Sequence, residues 1–187
     1  MSRATGTSRP FELRLPFVGI RQAKIDDLAM LVQLEERFPT DRLSRVNLRR
    51  LLRHGHASVW VCEQNGVLAG NTVVLYRRGT SVARLYSLVV HPDYLRRGIA
   101  RALLAATESE ASVRDCRELR LEVRPDNLPA ILLYRNGGYV VTGKAGKFYE
   151  DGTDALRMRK CLGPVTEVPA EQQWRRRAAP AAPGATT

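Results

Sequence analysis

The apolar positions of this chain change period along its length, from helical spacing near the start to short alternating runs in the middle. Val18 to Arg21 predicts a short strand. Ile25, Leu28, Leu31, Val32 and Leu34 then recur at the spacing of one helix face, with Asp26 and Asp27 where a helix N-terminus favours negative charge. Phe38-Pro39 stops that helix, because a residue before proline avoids the helical region. Ser44 is placed to cap a second helix, whose apolar side is Val46, Leu48, Leu51 and Leu52 and whose solvated face carries Arg49, Arg50 and Arg53. From Ala57 the period is that of strands. Residues 58–63 and 67–76 are rich in Val, Trp, Leu and Tyr and are separated by Asn65-Gly66, a strong hairpin signal. Arg77-Arg78-Gly79 turns the chain into a third strand, Val82 to Val90, which ends at His91-Pro92-Asp93. Three strands therefore meander before any long helix.

The second half alternates between the two periods. Ile99 to Val113 reads as a helix with Ala100, Leu103, Leu104, Thr107 and Ala111 on its inner side, and Leu119 to Val123 as the next strand. Asn127 to Arg135 is a short helix with Pro129 near its start, and Tyr139 to Thr142 another strand. In a last strand Leu156, Met158 and Lys160 alternate with Ala155, Arg157 and Arg159.

Composition narrows this to one domain: 187 residues with 44% apolar content fill a single core. The expected boundaries are an N-terminal tail over 1–10, a folded domain over 11–162, and a Pro/Ala/Arg-rich tail over 163–187 that contains Trp174 and Arg175-Arg176-Arg177. No run of eighteen apolar residues occurs, and the first sixteen residues hold arginines and prolines, so neither a membrane span nor a secretory signal is predicted and a cytoplasmic protein is expected. Cys62, Cys116 and Cys161 are odd in number and without a CxxC pair, which fits buried thiols better than disulfides or a metal site. The net charge of +11 attracts anions without choosing among nucleic acid, acidic protein and a phosphorylated cofactor. No Lys/Arg run interleaved with aromatics lies in the folded region, which argues against a nucleic-acid stacking platform.

Two segments carry chemistry. In Val89-Val90-His91-Pro92-Asp93-Tyr94-Leu95-Arg96-Arg97-Gly98-Ile99-Ala100 an apolar strand turns into a helix whose first residues are small, so unpaired backbone N–H groups can converge on an anion such as a pyrophosphate. Arg96 and Arg97 add positive charge there. The loop has neither the triphosphate-binding pattern nor the three glycines of a dinucleotide fingerprint, and an ordinary strand-turn-helix reads the same way. The second segment is Leu121-Glu122-Val123-Arg124, then Asn127, Ala130, Leu133-Tyr134 and Gly138-Tyr139.

The first stretch resembles the coenzyme A motif of the GNAT family of N-acetyltransferases, with Gly98 and Ala100 at its last two fixed positions and Leu95 where that motif has Gln or Arg. The second is similar to the family's Glu-Val-Arg, Asn, Ala, Leu-Tyr, Gly-aromatic pattern. Within the family the likeness is greatest to ribosomal-protein alanine N-terminal acetyltransferases, which share the Glu-Val-Arg strand, the twelve-residue interval from Glu122 to Tyr134, and a Phe-Pro, here Phe38-Pro39.

This resemblance implies an α/β (α+β) fold: a mixed, mostly antiparallel sheet flanked by helices and splayed where coenzyme A enters, between the strand ending at Val90 and the strand holding Glu122. It implies acetyl-CoA as cosubstrate, no metal, and direct attack by an amine. Leu88, Val89 and Val90 would offer strand backbone to the pantetheine. Arg96, Arg97, Gly98, Ile99, Ala100 and Arg101 would form the pyrophosphate turn, and Asn127 would bond the pantetheine arm or cap its helix. Glu122 is the candidate base and Tyr134 the candidate acid for the leaving thiolate, since a phenol keeps its proton at neutral pH. The structural alternatives are a Glu122 paired with Arg120 or Arg124, and a Tyr134 that is a core aromatic. Cys116 has no His and Asp arrangement to make it an acetyl carrier. The acceptor is expected to be a peptide or protein N-terminus, with a ribosomal protein as one candidate, approaching between the first two helices and Phe148 to Asp151. Glu35, Glu36, Glu150 and Asp151 are candidates to attract its charge. A small amine or antibiotic is the alternative acceptor, and a noncatalytic nucleic-acid or regulatory module the alternative class. Either a monomer or a homodimer fits.

Overall fold

The computed structural model describes residues 19–37, 42–53 and 55–163. Val18, Phe38-Pro39, His54 and both expected tails, Gly163 apart, lie outside them. Within them the order is β1 (Gly19–Gln22), a 3-10 turn (Ile25–Asp27), α1 (Leu28–Glu35), α2 (Arg45–Arg53), β2 (Ala57–Gln64), β3 (Val67–Tyr76), β4 (Val82–Val90), a 3-10 turn (Pro92–Tyr94), α3 (Ile99–Val113), β5 (Glu118–Val123), α4 (Leu128–Asn136), β6 (Val140–Ala145) and β7 (Ala155–Cys161). The strands form one seven-stranded sheet in the order β1-β2-β3-β4-β5-β7-β6. Every pairing is antiparallel except β4 with β5. This is the mixed, mostly antiparallel sheet with flanking helices that the resemblance implies.

Local chemistry accounts for the ends of these elements. Asn65 and Gly66 both take positive φ (51° and 76°), which matches the hairpin turn to the twist of β2 and β3. Ser44 Oγ accepts the Asn47 N–H at 3.2 Å and starts α2. Arg21 joins β1 to its surroundings through Asp27 (2.7 and 2.8 Å) and Glu63 (2.7 Å), and the guanidinium holds the Asp27 carboxyl below the usual carboxylate range.

The core lies on both faces of the sheet. Leu28, Leu31, Leu34 and Leu48 of α1 and α2 pack on Val59, Val61, Leu68 and Val73 on one side. On the other, α3 and α4 bury Leu104, Ala111, Ile131 and Tyr134 against Ala83, Leu85, Leu119, Leu121, Val123 and Met158. The approach of α3 is close: a Cβ at Gly70 would stand 2.8 Å from the Val89 carbonyl and 3.1 Å from Ile99 Cγ2, so no side chain fits there. Three expectations are corrected. Ile25 (42%) and Val46 (76%) are exposed, because a 3-10 turn precedes α1 and α2 meets the core mainly through Leu48. Cys161 is exposed at the end of β7, whereas Cys62 and Cys116 are buried thiols, Cys62 pushed up to about 11 by desolvation.

Glu35 is the third correction. It is no surface carboxylate: at 2% exposure it accepts the Leu43 N–H at 2.9 Å and the Asn71 amide at 3.4 Å. Burial raises its carboxyl above the ordinary range. A raised folded-state value means that the contribution of Glu35 to stability is complete below its unfolded value and is lost as pH rises through the folded one. Glu35→Gln removes that loss: its amide oxygen keeps the Leu43 N–H, and its amide N–H meets Asn71 Oδ1 once the Asn71 amide turns over. The variant is expected to melt higher at pH 7 by about 1 kcal/mol, roughly 2–4 °C, and to show no gain at pH 4. Melting curves at the two pH values check this.

Candidate active site

The parallel pairing of β4 with β5 stops early. Val82, Ala83 and Arg84 pair with Glu118, Leu119 and Arg120, and no later residue of β4 has a partner on β5. The cause is visible on the other edge of β4, where Val73 pairs with Ser87 but Val74 with Leu85, so that Tyr86 is an inserted residue. The bulge changes the parity of the strand. Ala83 and Leu85 face the α3/α4 side before it, and Leu88 and Val90 face α3 after it, while Val89 turns to α1 and α2. Thr72 Oγ1 donates to the Ser87 carbonyl at 3.0 Å beside the bulge, and Thr107 Oγ1 donates to Thr72 at 3.4 Å; both threonines are fully buried. From the bulge to Val90 one backbone edge of β4 faces an opening in the sheet.

At the end of that opening the chain turns into α3. Arg96 (φ 60°) and Gly98 (φ 79°) are both left-handed, and such turns point successive N–H groups into one concavity. Ile99, Ala100 and Arg101 are the first residues of α3, whose N–H groups have no acceptor within a helix. Ile99 is buried and anchors the turn, Ala100 is half-buried, and Arg96, Arg97, Gly98 and Arg101 are exposed around it. Arg97 lies over the Tyr94 ring at 5.0 Å, and His91 Nδ1 accepts the Asp93 N–H at 3.2 Å. Leu95 is 56% exposed and sends no polar group into the turn. The donor set suits an anion, and the strand edge beside it suits an extended amide chain.

Glu122 and Tyr134 stand on opposite faces of β5. Leu121 and Val123 point into the α3/α4 core with Tyr134, so Glu122 points to the other side. Tyr134 is 7% exposed, its ring 5.6 Å from that of Tyr139, and burial raises its phenol well above the usual range. Asn127 Oδ1 accepts the Ala130 N–H at 3.2 Å and caps α4 from an exposed position. The β4–β5 opening is where the two faces communicate.

Glu122 is ion-paired, though not with the residues the sequence suggests. Arg120 is taken by Glu118 (2.5 Å) and Arg124 by Asp151 (2.8 Å), whose carboxyl falls to about 2. Instead Arg84 places Nε and Nη2 on Glu122 Oε2, each at 2.9 Å, and Arg157 Nε is 3.9 Å from Oε1. Arg84 also lies 5.8 Å from the Tyr86 ring and 5.9 Å from that of Phe148, while Arg124 stacks on Tyr149 at 4.1 Å. Arg84, Tyr86 and Arg157 therefore join the candidate site, and the sequence reading did not single them out. The available signal was an arginine inside the otherwise apolar run of β4.

An open seam beside a strand bulge, an anion turn at a helix start, and a carboxylate and a phenol on opposite faces of the strand that borders the seam together suit acyl transfer from a thioester. The Acetyltransferase (GNAT) family matches residues 26–139, more than half of the chain. The chain belongs to this family. An acetyltransferase of Pectobacterium atrosepticum is 34% identical over 125 residues, 64% of this chain and 86% of that protein. The ribosomal-protein-S18-alanine N-acetyltransferase of Escherichia coli superposes with a TM-score of 0.70 at 28% identity, over 79% of this chain and 96% of that one. A nourseothricin acetyltransferase shares the fold, with a TM-score of 0.64 at 22% identity over 77% and 98% of the two chains. As a GNAT-family acetyltransferase the chain uses acetyl-CoA as its acetyl source. Among the described residues no group of three or more His, Cys, Asp or Glu is placed to hold a metal, and no helix is long and apolar enough to cross a membrane.

Proposed function

We propose that this GNAT-family enzyme acetylates the amine at the N-terminus of a peptide or protein. The observation that carries the reading is the open face of the sheet around Glu122. There Arg84, Tyr86, Arg120 and Arg157 are exposed or half-exposed, and among the described residues no helix packs over β5, β7 or β6 on that side. An extended backbone fits such a face. The solved relative of Escherichia coli, which acts on a ribosomal-protein alanine, supports the same class, and a ribosomal protein is the natural first candidate. The shared fold of the nourseothricin enzyme keeps a small amine as the second reading.

In this proposal the bound coenzyme supplies an already activated thioester. The residues of the chain do the rest. The free edge of β4 at Leu88 and Val90 aligns the pantetheine, Asn127 bonds it at the start of α4, and the N–H groups of Arg96 to Arg101 hold the pyrophosphate. Glu122 accepts the amine proton, directly or through water, and Tyr134 donates a proton to the departing sulfur from the opposite face of β5.

Thiol release from acetyl-CoA is the test, with mass spectrometry of products, over peptides varied at their first two residues and a parallel set of small amines. Turnover on peptides supports the proposal. Turnover confined to small amines replaces it with the second reading, and acetyl-CoA binding without turnover on any acceptor removes both.

A further inference from the structure

The far end of β4 holds a second, unassigned cleft. It has a volume of ≈ 750 Å³ and is lined by Gly55, His56, Tyr76, the turn Arg77 to Thr80, Arg114 and Cys116. β4 begins beside it at Val82 and reaches the coenzyme turn only after Val90, roughly 25 Å along a nine-residue strand. The cleft is therefore distant from the coenzyme turn, and although Arg84 is only two positions beyond Val82, no residue placed around Glu122 lines it.

Its chemistry is one-sided. Three arginines contribute to the lining and no carboxylate does. Arg114 is fixed: its Nε meets Glu110 at 2.7 Å, its Nη1 meets the Gly55 carbonyl at 3.4 Å, and its plane covers the Tyr76 ring at 4.5 Å. Glu110, which also accepts from Ser58 at 3.3 Å, is thereby spent on residues at the cleft's edge. Arg77 and Arg78 are exposed, and among the described residues neither has an ion-pair partner. Asp115 is the nearby carboxylate in sequence, outside the lining. The turn that presents the two arginines is tied by Thr80, which donates both N–H (3.3 Å) and Oγ1 (3.1 Å) to the Arg77 carbonyl. Gly55 and Gly79 leave the floor open, with no atom within 4 Å of a Cβ at either.

Guanidinium groups match phosphate oxygens with paired donors, and two uncommitted ones beside a third anchored one call for a multiply charged anion. The volume exceeds what one phosphate needs and falls in the range of nucleotide-sized ligands. We propose that this cleft binds the phosphate of a nucleotide, either free or as a unit of an RNA strand, using Arg77 and Arg78 as the gripping residues.

The test keeps acetyl-CoA saturating, so that the coenzyme site is filled, and measures binding of AMP by calorimetry and of a short labelled RNA strand by anisotropy. The double variant Arg77→Ala/Arg78→Ala is expected to lose about tenfold or more in affinity and to lower the slope of log affinity against log salt by about 1–2. Its acetyl-CoA affinity and turnover should stay as in the wild type, which also reports correct folding. The double variant Arg42→Ala/Arg45→Ala removes equal charge at the start of α2 and should change binding much less. Binding of AMP with this pattern identifies a free-nucleotide site; binding of RNA alone identifies a strand site. If neither probe binds the wild type, or the two double variants weaken binding equally, the site does not exist and only the general charge of the protein attracts anions.

Discussion

Replacing Tyr134 by Phe is expected to lower kcat about 100-fold or more, the usual worth of a positioned general acid, while the KM for acetyl-CoA stays within about twofold and Tm does not move. The separation of effects follows from where the residue sits. Its ring packs in the cluster of Leu104, Leu121, Ile131 and Tyr139, all of which Phe would still fill. Its phenol is desolvated and, with Tyr149 nearby, holds its proton to higher pH than an ordinary tyrosine. A group that never ionises in the working range is available as a donor at every pH at which the enzyme turns over. The wild-type rate should therefore show no alkaline fall assignable to this residue. Steady-state kinetics on the best acceptor, with a melting curve of the same preparation, decide the matter. An unchanged kcat would make Tyr134 the core aromatic that its burial alone would allow, and would hand the thiolate its proton from water.

The periodicity of the sequence was enough for most elements and for the ends of several. Ile99 to Val113 is both the predicted and the observed helix, and the Asn65-Gly66 turn and the Val82 to Val90 strand also match. These depend on neighbours within a few positions, which is the range over which side-chain alternation and turn chemistry act. The features that shape the site do not. Nothing in the alternation of β4 marks Tyr86 as inserted, because a bulge is defined by the register of β3 opposite it. Glu122 and Arg84 are 38 positions apart and meet only because β4 and β5 run parallel with Arg84 opposite Arg120. The nearby arginines that the sequence offers for Glu122 have closer carboxylates of their own in Glu118 and Asp151. Glu35 likewise looks like a surface acid at a helix end until β3 brings Asn71 beside it.

Glu122→Gln is expected to lower kcat roughly 100-fold, within the range of a lost general base, with little change in the KM for acetyl-CoA. The amide keeps the shape of the carboxylate and leaves Arg84 and Arg157 on the acceptor side without their shared anion. Repulsion from those two cations should raise the acceptor KM severalfold, because most of the amine is itself charged at neutral pH. The pH profile distinguishes the two losses. Without a base the variant can use only amine that is already neutral, so its rate should climb with pH up to the pKa of the acceptor, and the deficit against wild type should shrink along the way. Unfolding cannot imitate this result, since a partly exposed pair of this kind contributes only about 1 kcal/mol or less to stability and its loss leaves Tm nearly in place. Should kcat hold and only the acceptor KM rise, Glu122 is a carboxylate that binds the cationic amine rather than one that deprotonates it. The Arg84 contact would then compete with the acceptor for the same oxygens, and Arg84→Ala would lower the acceptor KM; if Glu122 is the base, that variant instead loses kcat because the carboxylate is no longer held in position.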